Sequence, residues 1–170
     1  LAVDEITRER ILETFSNYGI NRSQIIFADK VNHEVHTARL ELADLMLDNW
    51  PYNAHTTCSD ALRAGTPVLT KIGKTFGSRV AGGLLTTCGL SYYIASTNDE
   101  YVEKAVNFSK LNFRDRQLEK DKTSKSYWES QLPDTKHFAE SLEAFFLYAV
   151  KAKASNKEPK DICILKDFSV

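Results

Sequence analysis

Cysteine is scarce in this chain: three in 170 residues, Cys58, Cys88 and Cys163, far apart and never as a CxxC pair. An odd, scattered set of thiols argues against a disulfide framework or a zinc knuckle. It points to a reducing, cytoplasmic setting, or also a nuclear one in a eukaryote. Charge of one sign is missing as well, since 22 basic and 23 acidic residues leave a net charge of −1. That balance gives no general electrostatic hold on nucleic acid or on an anionic membrane, so neither is expected as a partner. No run approaches the roughly 18 apolar residues of a membrane span. The opening LAVDEITRER has no apolar h-region, so no signal peptide is expected. Only seven glycines are present, and none sits in the GxxxxGK[ST] spacing of a P-loop. Internal repeats and low-complexity tracts are absent too.

What is there describes a soluble globular protein, 42% hydrophobic and 26% charged. A chain of this length can bury about 70% of the surface that its unfolded form exposes. Residues 4–18 carry Ile6, Ile11, Leu12 and Phe15 at helical spacing, with Gly19 as a stop. SQIIFA, residues 23–28, is a β-branched and aromatic run that predicts a buried strand. A helix over 33–42, a strand at Leu45–Leu47, a helix over 57–64 stopped by Gly65, and a strand at Pro67–Thr70 follow. A helix over 76–88 closed by Gly89, a strand at Tyr92–Ala95 and a helix over 98–111 complete the alternation. Short strands alternating with helices predict an α/β fold, a Rossmann-like parallel sheet with helices on both faces. Beyond Asn112 only helices are expected, over 112–122 and 135–152. In the second, Phe138, Leu142, Phe145, Phe146 and Ala149 share a face that should pack on the domain or a neighbour. On this reading residues 1–152 are one domain and 153–170 a polar tail, with ICILKDF a sticky segment near its end. Leu1, Ala2 and Val3 read as the end of a strand whose earlier part belongs to a longer protein.

In parallel α/β sheets, ligands sit beyond the carboxyl ends of the strands, where loops run into helix N-termini. PYNAHTTCSDALRAGTPVLT, residues 51–70, spans such a junction. Free N–H groups and the macrodipole at a helix start favour anions, and His55, Thr56 and Thr57 would add directed donors. Asp60, one turn on, is a poor neighbour for phosphate but a good acceptor for ribose hydroxyls. The combination suggests a nucleoside diphosphate. The same residues also read as a plain helix cap, Thr56 or Thr57 capping with Asp60 completing a capping box. A second cluster, HEVHTAR, places His33, His36 and Arg39 on one helix face. Imidazole and guanidinium there can stack on a base and donate to its carbonyls. HxxH as a metal pair is the competing reading, but it lacks HExxH spacing and no third ligand joins it. A solvated helix face is the other. The third piece, KIGKTFGSRVAGGLL, is a glycine-flanked loop around Lys74, Thr75 and Phe76 at the next junction.

The run LADLMLDNWPYNAHTTCSDALRAGTPVLTKIGKTFGSRVAGGLL resembles the catalytic region of the O-linked N-acetylglucosamine transferases, glycosyltransferase family 41. LADLMLD, NAHTT with an Asp three residues later, AGTPVLT and SRVA carry the likeness, which is continuous from Ile25 to Leu90 and colinear to about Val150. The resemblance implies a GT-B pair of Rossmann-like domains, of which this chain would be the C-terminal, nucleotide-sugar-binding half. By motif position it assigns His55, Thr56 and Thr57 to the UDP phosphates and Asp60 to the ribose. His36 and Arg39 would flank the uracil, and Val31 would offer its backbone to the base. His33 stands where the family commonly has Lys, and Lys74 carries no family role. The family's phosphate-binding lysine falls upstream of Leu1. The reaction implied is inverting transfer of N-acetylglucosamine from UDP to Ser or Thr of proteins. No metal or other cofactor is expected, and acceptors would be gripped by an N-terminal catalytic half and tetratricopeptide repeats outside this sequence. This chain alone would then be inactive. A GT-B enzyme using another UDP-sugar, or a non-catalytic nucleotide-binding module, remain the alternatives.

Overall fold

A computed structural model describes residues 4–158; ICILKDF and most of the expected polar tail lie outside them. The chain divides into two compact units, Leu1–Arg39 and Leu40–Val170.

In the first unit, helix α1 (Glu5–Asn17) starts at Asp4, whose side chain accepts from the Thr7 N–H at 2.7 Å. It ends where Gly19 takes φ +78° and Ile20 N–H reaches back to the Phe15 carbonyl, the left-handed reversal that glycine permits. Asn21 and Gln24 then form a capping box around a 3-10 turn, Arg22–Gln24. The strand expected over 23–28 is not there. Its first residues belong to that turn, the rest is irregular, and Ile26 is 86% exposed. A β run needs a ladder partner to satisfy its backbone, and no strand pairs with this one among the described residues. Helix α2 (His33–Leu40) follows, with Asn32 accepting from the Val35 N–H at 2.9 Å.

The second unit is built on three parallel strands in the order β1 (Met46–Leu47), β2 (Val68–Lys71), β3 (Ile94–Ala95). The register pairs Met46 with Val68 and Thr70 with Ile94. Successive strand residues point to opposite faces, yet Val68, Leu69 and Thr70 are all buried, so helices cover both faces of β2. Val68 meets α3 (Thr56–Arg63) and α4 (Val80–Thr87) through Cys58, Ala61, Leu62, Ala81 and Leu85. Leu69 faces Phe108 of α5 (Asn98–Ser109) across a cavity of about 290 Å³.

Other differences from the expectations have local causes. The helix expected over 76–88 is split into a 3-10 turn at Phe76–Ser78 and α4, because Ser78 folds back on Thr75 and Gly73. Tyr92 and Tyr93 belong to a 3-10 turn before β3, not to the strand. Helix α6 (Phe113–Glu129) runs seven residues past the expected end, since Thr123 and Tyr127, four apart on one face, are buried. It packs on α3 where Gly65 (φ +78°) lets the backbone pass Ser124; a Cβ there would lie 3.2 Å from the serine's own. Helix α7 (Thr135–Ala154) forms as expected; no α7 residue is buried among those described, and on its apolar stripe Phe138 is 69% exposed.

Candidate functional site

Parallel strands place the loops after β1 and β2 side by side at one sheet edge. The first, residues 48–55, leads into α3; the second, 72–79, leads into α4. They are bonded together: the Asn53 N–H donates to the Gly77 carbonyl at 2.8 Å, and the Asn53 side-chain amide donates to Asn49 O at 2.9 Å. Gly77 lies against the Tyr52 ring, so closely that a Cβ would come within 3.0 Å of it. At Gly73 a Cβ would strike Ser78 Oγ at 2.3 Å. Lys71, at the end of β2, sits 3.6 Å from the Trp50 ring centroid and donates to Asn98 Oδ1 at 2.7 Å. The glycine loop is therefore a packing partner of the first loop, and Lys74 on it is exposed.

Asp48 fixes the first loop, and the sequence reading passed over it. Its side chain is buried at 6% exposure, with Oδ1 accepting from the Asn49 N–H at 2.8 Å and the Ala54 N–H at 2.6 Å. Oδ2 accepts from the Thr70 hydroxyl at 2.6 Å. The backbone of Asp48 extends the sheet, its N–H donating to Leu69 O, and its carbonyl takes the Tyr101 hydroxyl at 2.9 Å. A carboxylate closing an otherwise apolar strand, LMLD, was the available signal.

Immediately after Ala54 comes His55. It is the residue before α3, with φ −102° and ψ −90°, and its side chain makes no capping bond. Thr56 and Thr57 occupy the first two helical positions, exposed, one residue earlier than expected. A plain threonine cap is therefore not what forms. The His55 ring stacks on Tyr52 at 4.8 Å and meets Phe76 edge-on at 5.9 Å. Its Nε2 is buried without a partner, as is Asn53 Oδ1. Unpaired buried polar atoms of this kind cost about 1–3 kcal/mol each, and here they lie beside the unsatisfied N–H groups of a helix start. Asp60 is half-buried on the next turn of α3. Cys58, between them in sequence, has its thiol pushed up to about 12 by burial and then by the Asp48 charge, so it is no nucleophile at neutral pH.

Val31, His36 and Arg39 belong to the first unit. Arg39 donates to the Asp29 carbonyl at 3.0 Å and to His36 Nδ1 at 3.1 Å. A guanidinium has no acceptor, so Nδ1 is the acceptor and the neutral imidazole carries its proton on Nε2. The same contact puts a fixed positive charge where the HxxH metal reading needs a cation. Among the described residues no group of three or more His, Cys, Asp or Glu could hold a metal ion. His33 bonds to Thr37 instead.

Comparison with known proteins adds the following. The sequence model of glycosyl transferase family 41 matches residues 2–142. A probable UDP-N-acetylglucosamine–peptide N-acetylglucosaminyltransferase, SEC, of Arabidopsis thaliana is 33% identical over 150 residues, covering 88% of this chain and 15% of that protein. The UDP-N-acetylglucosamine–peptide N-acetylglucosaminyltransferase of Caenorhabditis elegans is 40% identical over 88 residues, 52% of this chain and 8% of its own length. In structure, a mutant of the Thermobaculum terrenum O-GlcNAc transferase superposes with a TM-score of 0.75 at 22% identity, covering 84% of this chain and 27% of that one. The chain thus spans a small fraction of the curated relatives that it matches.

Proposed function

This chain belongs to glycosyl transferase family 41, and on that premise we propose that it is the UDP-sugar-binding half of a protein O-linked N-acetylglucosamine transferase. The donor is UDP-N-acetylglucosamine and the acceptors are Ser or Thr hydroxyls of proteins. The diphosphate lies at the start of α3, on the backbone N–H groups, the Thr56 and Thr57 hydroxyls and the His55 imidazole. Asp60 takes the ribose hydroxyls; Val31 backbone, His36 and Arg39 take the uracil. The observation that carries the reading lies at one helix start: His55 Nε2 is buried without a partner, and the next two residues are exposed threonines. A diphosphate supplies acceptors to both.

During transfer the acceptor oxygen bonds to the anomeric carbon from the face opposite UDP, inverting it, while the bond from that carbon to the β-phosphate oxygen breaks and the acceptor hydroxyl releases its proton to solvent. The charge left on UDP develops at the α3 N-terminus, where preformed donors stabilise it. The step needs no metal on this reading. A cytoplasmic, or also nuclear, location is part of the proposal, supported by the free thiols of Cys58 and Cys88. Calorimetric titration of the full-length protein with UDP, UDP-N-acetylglucosamine and GDP tests it, together with transfer of labelled sugar to a Ser/Thr peptide. Binding of UDP and its sugar at least about tenfold more tightly than GDP is expected from base contacts alone. Equal binding of UDP and GDP overturns the uracil assignment.

A further inference from the structure

We propose that Asp48 is a positioning residue for the diphosphate, setting where His55 and the first N–H groups of α3 stand; this rests on the phosphate reading above. Its three donors are not scattered. Two are the N–H groups of Asn49 and Ala54, the two ends of the loop, and one Oδ1 takes both, at 2.8 and 2.6 Å. The loop is thereby closed into a ring with the carboxylate at its centre, and the Asn53 amide bond to Asn49 O closes it a second time. The chain leaves that ring directly into His55, so the bond at Ala54 fixes the point from which the imidazole and α3 set out. The third donor, Thr70 at 2.6 Å, ties the ring to β2, the central strand.

No lysine or arginine pairs with Asp48 among the described residues. A buried carboxylate without a cation is expensive, and it persists here because three short donor bonds converge on it. An apolar side chain could fill the strand end; holding both loop ends and the strand at once needs one oxygen that accepts from both N–H groups and a second polar atom that bonds to Thr70. Positioning of this kind is sensitive, since a misplacement of about 1 Å is worth about 100-fold in a binding or reacting geometry.

The test uses the full-length protein and three probes: UDP, uridine and the transfer reaction. Asp48→Ala is expected to lower UDP affinity about 10- to 100-fold and uridine affinity by less than about threefold, because uridine has no phosphate to misplace. Asp48→Asn keeps an oxygen for both N–H groups and donates its amide to Thr70, whose hydroxyl turns to accept. It is expected to keep UDP affinity within about threefold of the parent, whereas Asp48→Leu, which supplies bulk without an acceptor, is expected to lose affinity as Asp48→Ala does, an outcome that a requirement for bulk alone does not predict. Where Asp48→Ala does not fold, Thr70→Val removes only the bond to Oδ2 and is expected to raise KM for the sugar donor more than it lowers kcat. Equal losses for UDP and uridine, or no loss of either, overturn the positioning role while leaving the phosphate reading intact. A parent protein that binds uridine as tightly as UDP overturns both.

Discussion

Replacing His55 by alanine separates ligand binding from packing, because the structure sets opposing terms on it. The ring loses a stack on Tyr52 at 4.8 Å and an edge contact with Phe76 at 5.9 Å. Aromatic contacts are worth about 0.5–1.5 kcal/mol each, so the two together amount to about 1–3 kcal/mol. The same change removes a buried Nε2 that has no partner, and relieving such an atom returns about 1–3 kcal/mol. The two nearly cancel. At about 2–4 °C per kcal/mol for a domain of this size, Tm should move by no more than about 4 °C. Binding has no such cancellation. If the imidazole donates to a diphosphate oxygen, the charge-assisted bond is worth about 1.5–3 kcal/mol, and UDP affinity of the full-length protein should fall about 10- to 150-fold. Uridine affinity should hold. Calorimetry with UDP and uridine, beside a thermal melt, reads all three quantities. A melt lowered by more than about 10 °C with UDP affinity unchanged would refute the assignment and make His55 a packing residue between two aromatics.

Three further outcomes are expected. Asp60→Asn should weaken UDP and uridine alike in the same titrations, since its proposed partner is the ribose; a loss confined to UDP would move Asp60 to the phosphates. Gly73→Ala places a Cβ 2.3 Å from Ser78 Oγ, overpacking the second loop at a cost of about 1–3 kcal/mol; an unchanged denaturant midpoint would show that the loop yields freely. Cys58 lies above its ordinary 9.0, at about 12 in the fold. Its contribution to stability is therefore full below pH 9 and is lost as pH rises from about 9 towards about 12, because only the unfolded thiol ionises there. Burial and Glu119 push Tyr93 upward as well, adding to the same alkaline limb. Urea melts across that range should show the decline, and Cys58→Ala should flatten it; an unaltered slope would mean that the thiol is open to water.

The sequence by itself determined most of the helices and which two loops share a sheet edge. Local rules govern both: Asp4, Thr97, Asn112 and Asp134 are caps that need no partner beyond the next turn, and Gly19, Gly65 and Gly89 at positive φ stop the chain wherever it folds. Once alternation implies parallel strands, the loops after them share an edge by topology. The tertiary structure decided what depends on a partner. SQIIFA has strand composition, but composition supplies no ladder. The stripe on α7 has the right period, yet none of its residues is fully buried among those described. Tyr127 lengthened α6 because α3 and the core were there to bury it. The loop chemistry was the least legible. His55 and the threonines stood out as residue types, whereas nothing local sets Asp48 apart from any other acid at a strand end. Only the fold brings Asn49, Ala54 and Thr70 to one carboxylate, since a hydrogen bond spanning 22 residues is set by strand register and not by anything local to LMLD.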